Sequence, residues 1–143
     1  MTVIRFLEQY EDANRRVRRL EEEYKDEMLL IDSVRSLSDN DGMPHGTNIS
    51  KPTEDKAIRL AIKAQKLVDA RLEAVRIRQI VFDVINKVPD TGGDFLFKKY
   101  IQLKTWAEIA DEMNYSLGGL AHIRTKALAE VERILASQCS VMN

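Results

Sequence analysis

The chain has 143 residues, 44% of them hydrophobic and 31% charged, with six Gly and three Pro; this suits one or two ordered helix-rich units and excludes global disorder and a multi-module enzyme. Its 22 basic side chains stand against 23 acidic ones, a net charge of −1, so there is no overall basic excess to hold nucleic acid and any DNA contact has to be local or shared. A lone Cys139 excludes an intramolecular disulfide and a cysteine zinc site, no apolar run reaches the roughly 18 residues of a membrane helix, and the N-terminus turns acidic where a signal peptide is apolar; a reducing cytoplasm is the expected compartment.

From Ile4 to about Leu37, the residues Leu7, Tyr10, Ala13, Val17, Leu20, Tyr24, Met28, Ile31 and Val34 recur at steps of three or four, which predicts one long helix with a single apolar stripe. Such a stripe needs a partner helix. The cluster Arg15, Arg16, Arg18 and Arg19 is followed within a turn by Glu21, Glu22 and Glu23, as on a solvated face with ion pairs one turn apart. Residues 36–52, SLSDNDGMPHGTNISKP, break the periodicity and read as an exposed, mobile loop.

Thr53 offers an N-cap to a second helix, with Glu54 and Asp55 in its first turn and Ala57, Leu60, Ala61, Ala64, Leu67, Val68, Leu72 and Val75 as its stripe, running to about Lys87. An antiparallel hairpin is the simplest use of both stripes, and a dimeric coiled coil is the competing use. The expected division is therefore an assembly arm over residues 1–88 and a C-terminal unit over 89–143. Pro89, Gly92 and Gly93 stop the second helix, and Asp94 is placed to cap a short one over residues 95–101. Six of the nine aromatics lie between Phe82 and Tyr115, which marks the core of that unit.

Residues 105–135, TWAEIADEMNYSLGGLAHIRTKALAEVERIL, carry the most specific pattern. Thr105 and Glu108 form a T-x-x-E capping box. Asn114 is suited to a left-handed turn, and Ser116 can cap the next helix. Ile109 and Ala110, Tyr115 in the turn, then Leu117, Leu120, Ile123, Ala127 and Val131 form the expected inward set. Caps, turn and apolar spacing together predict a helix-turn-helix, in an all-α fold of a long N-terminal helical hairpin followed by this unit.

The stretch from Tyr100 to Leu135, with E-I-A, a turn and then S-[hydrophobic]-G-x-[hydrophobic], resembles region 4 of housekeeping-type bacterial sigma factors. The whole chain resembles a family of small phage and prophage proteins of Gram-positive bacteria, related to sigma region 4 and to phage late-gene activators of the ArpU and RinA type. The resemblance implies a transcriptional regulator whose second motif helix enters the major groove of double-stranded DNA near a promoter element, and which contacts host RNA polymerase. It places Ser116, Gly118, Gly119, His122, Thr125 and Lys126 on the outer face of that helix, with Ala121 and Arg124 at its margins. His122 and Thr125 are the expected base-edge readers, and Arg124, Lys126, Lys104 and the Ser116 hydroxyl the expected phosphate contacts.

Sigma recognition helices are richer in charge, whereas this one opens on Gly118-Gly119; either close approach to phosphate or a frayed first turn would use such a pair. The first 81 residues hold only Phe6, Tyr10 and Tyr24 as aromatics, so no DNA-melting module of a complete sigma factor is expected. The hairpin instead reads as a dimerisation or polymerase-docking arm, a homodimer making up for weak single-site affinity. Two other readings stay open: a protein-interaction module that binds polymerase or another phage protein without touching DNA, and a packaging-terminase small subunit.

His45 and His122 lack partners at metal-ligand spacing, TGGD at 91–94 lacks the Lys of a phosphate-binding loop, and the NIS acceptor at 48–50 has no use in a cytoplasmic chain. Neither an enzyme, nor a metal, nor a cofactor is expected.

Overall fold

The computed structural model describes residues 2–39 and 51–142 and is all-α. Its elements in chain order are α1 (Val3–Asp39), α2 (Lys51–Ile85), α3 (Asp90–Leu96), one π-helical turn (Phe97–Ile101), α4 (Trp106–Met113) and α5 (Leu117–Met142). Among the described residues no helix is long and apolar enough to cross a membrane. Of the expected loop at 36–52, residues 36–39 are helical, 51–52 open α2, and the remainder, with His45 and residues 48–50, lies outside the described residues. Thr53 consequently sits inside α2 and does not cap it.

The chain forms two compact units, Met1–Ala13 with Ala74–Asn143 and Asn14–Glu73. The division expected at 88/89 is displaced because Leu7 of α1, Val81, Val84 and Ile85 at the end of α2 and Val88 in the turn after it are buried in one cluster with Phe95, Ile109, Leu120 and Val131. Both ends of the predicted arm thus belong to the core of the C-terminal unit.

In the unit Asn14–Glu73, α1 and α2 run antiparallel. Glu21 accepts from Arg71 at 2.9 Å and Glu27 from Lys63 at 3.3 Å, pairings that step in opposite directions along the two helices. Val17, Leu67 and Ala70 are buried. Much of the predicted stripe is not: Met28 on α1, and Ala57, Ala61, Val68, Leu72 and, further along α2, Val75 are exposed. At 100° per residue, Leu67 and Ala70 point one way and Val68 and Leu72 another. The apolar residues of α2 occupy two faces, and the hairpin uses one.

The other unit turns on two glycines. Gly92 and Gly93 do not end a helix; they lie inside α3, and Asp94 lies there too instead of capping a later one, the N-cap position being Pro89. A Cβ on Gly92 would meet the Ala127 Cβ at 3.3 Å, and one on Gly93 would meet the Val88 carbonyl oxygen at 2.4 Å. These glycines let α3 lie close to α5 and to the turn that follows α2. Phe95 stacks obliquely on Trp106, with ring centres 5.4 Å apart, and Phe82 meets Phe97 edge-on at 5.9 Å.

Candidate nucleic-acid interface

α4 begins as its sequence requires: the Thr105 hydroxyl accepts from the Glu108 N–H at 3.3 Å, satisfying a donor with no partner inside the helix. It ends on Asn114, whose backbone (φ 58°, ψ 42°) is left-handed, a conformation that Asn tolerates better than most residues. The Tyr115 N–H reaches back to the Ala110 carbonyl at 3.0 Å and the Asn114 N–H to Asp111 at 3.4 Å, the paired bonds of a Schellman turn. Ser116 caps α5 by accepting from the Gly119 N–H at 3.1 Å. Ile109 and Leu120 are fully buried, with Ala127, Val131 and half-buried Ile123 along the same side of α5. The joint between α4 and α5 is a helix-turn-helix.

Two residues expected inside it are outside. Leu117 is 61% exposed and Tyr115 41%. Leu117 lies roughly 80° around the helix from the line Leu120–Ile123–Ala127–Val131, and the Schellman turn carries Tyr115 to the surface. With Ala107, Glu108, Ala110, Asp111, Asn114 and Ser116 they line a broad groove beside the turn. Sequence reasoning missed this groove; the phase of Leu117 relative to Leu120 was the signal that could have found it.

The structure brings Ser116, Gly118, His122, Thr125 and Lys126 to one exposed side of α5, with exposed Ala121 beside them and Gly119 half-buried near the Ser116 hydroxyl. The Thr125 hydroxyl donates to the Ala121 carbonyl at 3.0 Å, which leaves its lone pairs to accept. His122 and Lys126 also border a shallow groove with Asp90, Thr91 and Glu130. Gly118 has nothing within 4 Å of where a Cβ would stand, so packing does not explain its lack of a side chain.

The two other cations of the expected set are engaged elsewhere. Arg124 is half-buried, its guanidinium lies 5.9 Å from the Trp106 ring centre, and its charge acts on the Tyr100 phenol. Burial pushes that phenol above its ordinary range, and Arg124 partly offsets the rise. Lys104 holds Glu112 at 2.6 Å, and Lys98 holds the same carboxylate at 2.8 Å; together they keep its pKa below the usual glutamate value. Arg124 and Lys104 therefore brace the motif, Arg124 against the Trp106 ring and Lys104 against Glu112 on the surface of α4.

Charge is divided between α4 and the first half of α5, and Glu130 and Glu132 follow further along α5. From Tyr115 to Leu128 the chain carries Arg124, Lys126 and His122 and no acidic residue, whereas α4 carries Glu108, Asp111 and Glu112. Comparison with family models, with curated proteins and with solved structures returned no match in any of the three.

Proposed function

We propose that the protein binds double-stranded DNA through the outer face of α5 and acts as a transcriptional regulator. The observation that carries this reading is the exposed side Ser116–Gly118–His122–Thr125–Lys126, drawn from a stretch without acidic residues between Tyr115 and Leu128 and mounted on a capped helix-turn-helix joint, with Asp90 and Glu130 only at its edge. His122 and Thr125 supply donors and acceptors of the kind that read base edges, and Lys126 and the Ser116 hydroxyl supply phosphate contacts. A bare Gly118 lets the backbone at the helix start approach the duplex. The resemblance to sigma region 4 makes a promoter element the natural target, in a phage-encoded chain.

The decisive experiment is retention of short duplexes from the source genome by the full chain at low and moderate salt, followed by sequencing. A common motif recovered at both salts is the expected result, and His122→Ala with Lys126→Ala should abolish it while Trp106 fluorescence stays native. No enrichment, or equal enrichment by the double variant, would overturn the assignment of this face.

A second reading is favoured by the groove around Tyr115 and Leu117, whose exposed apolar surface lies beside Glu108 and Asp111. That chemistry fits a basic, apolar protein segment, for which host RNA polymerase is the candidate by resemblance. Glu108→Lys with Asp111→Lys should then remove polymerase capture and spare DNA retention.

A further inference from the structure

We infer that the outer face of α2 is a homodimer interface in which two copies of the helix pair antiparallel about Gln65. Four exposed aliphatic side chains lie on this face within the unit Asn14–Glu73: Ile58 (57% exposed), Ile62 (50%), Val68 (46%) and Leu72 (65%). With Gln65 between them they fall within an arc of about 120° on the helix surface. Leu67 and Ala70, the residues of α2 buried in this unit, lie on the other side. The face is left over after the hairpin has formed.

Its spacing identifies the occupant. Ile58, Ile62, Gln65, Val68 and Leu72 are separated by steps of four, three, three and four, a series that reads the same in both directions. Laying a second α2 antiparallel across the first sets Ile58 against Leu72 of the other copy, Ile62 against its Val68, and Gln65 against Gln65. A two-fold interface has to be self-complementary in this way. The central polar residue fits as well: a side-chain amide carries both donors and an acceptor, so two amides meeting on the axis can satisfy each other, and a polar group in an apolar seam sets register. Exposed Asp69, which accepts from Gln65 at 3.0 Å, then falls opposite Ala61, which leaves it room.

Area and charge point the same way. The four aliphatic side chains present on the order of 400 Å² per copy, so a pair buries about 800 Å² of apolar surface and about 1,200 Å² with a polar rim, which reaches the range of specific interfaces. The border within this unit carries Glu54, Asp55, Asp69 and Glu73 beside Arg59 and Lys66. It is mixed in sign and is not the cationic border that anionic lipid would select.

The test needs no DNA, so its outcome is separate from that of the nucleic-acid reading. Sedimentation of the full chain at micromolar concentration should give twice the 16.4 kDa chain mass. Val68→Asp with Leu72→Asp should return it to a monomer of unchanged helix content, since both positions are exposed in the single chain. In a Cys139→Ser background, Gln65→Cys should cross-link on mild oxidation; Ile58→Cys alone should not, and Ile58→Cys with Leu72→Cys should. A monomeric wild type, a dimer that survives the double Asp variant, or cross-linking by Ile58→Cys alone would each overturn the proposal.

Discussion

In the unit made of Met1–Ala13 and Ala74–Asn143, fourteen buried side chains from α1, α2, α3, the π-helical turn, α4 and α5 form one cluster, with Phe95, Leu96, Ile109 and Leu120 fully enclosed. In the unit Asn14–Glu73 only Val17, Leu67 and Ala70 are buried among the described residues, while Met28, Leu29, Leu30, Ile58, Ile62, Val68 and Leu72 are exposed. Elements crossing from several directions can enclose a side chain, whereas two antiparallel helices share one seam and leave their outer faces bare. The first unit is built to hold a motif in a fixed geometry. The second has apolar surface to offer a partner.

Truncating one enclosed residue in each unit should give the largest difference between them. Phe95→Ala should cost about 3–5 kcal/mol, because rings and helices around the vacated space cannot close it, whereas Leu67→Ala should fall near 2 kcal/mol, the low end for such truncations, beside an open groove. Urea unfolding followed by Trp106 fluorescence, which reports the first unit, and by circular dichroism, which reports both, separates the two. Equal costs would mean that the hairpin is as tightly packed as the motif unit.

A smaller effect sharpens the account of close approach. Gly93→Ala puts a methyl group against the Val88 carbonyl oxygen, which is backbone and cannot turn aside, so a loss of up to about 3 kcal/mol is expected. Gly92→Ala meets a Cβ at 3.3 Å and should cost less. The order of the two midpoints in urea is the measurement, and a reversed order would show that α3 does not sit where these distances place it.

These glycines also mark the limit of what the sequence discloses. The caps at Thr105 and Ser116, the left-handed Asn114 and the inward line Leu120–Ile123–Ala127–Val131 were legible because each depends on residues within one or two turns. Gly92 and Gly93 read as helix breakers, and only the proximity of Ala127 and Val88 turns them into packing residues. Leu117 and Tyr115 read as inward from the pattern of the motif, whereas the phase of the helix and the turn set them outside. Val68 and Leu72 read as part of a single stripe because steps of four link them to Ala64, although the summed angle turns them away from Leu67 and Ala70. Arg124 and Lys104 read as free cations because Trp106 and Glu112, their partners, are brought to them by tertiary structure.

On the motif's surface the expected change is smaller and of opposite sign. Since a Cβ at Gly118 meets nothing, Gly118→Ala should stabilise the protein by about 0.5–1 kcal/mol through helix propensity. If the bare position serves approach to a duplex, the same change should weaken DNA retention while raising the unfolding midpoint. Gains in both would assign Gly118 no part in the interface.

The smallest effect is electrostatic and lies where the π-helical turn passes into α4. Lys104 and Lys98 hold the exposed Glu112 carboxylate below its ordinary pKa. The contribution of this pairing is therefore fully present above the usual glutamate range and is lost as pH falls through the lowered folded value, where the carboxylate takes up a proton. Exposure keeps it small, and added salt should reduce it further. Glu112→Gln should flatten the acid side of the stability profile below about pH 5 and leave the profile near neutrality almost parallel to that of the wild type. Because Lys104 is committed to this pair, the same variant frees its ammonium group. DNA retention that rises in Glu112→Gln at low salt would show Lys104 to be a phosphate contact held in reserve, and unchanged retention would leave it the brace that its geometry describes.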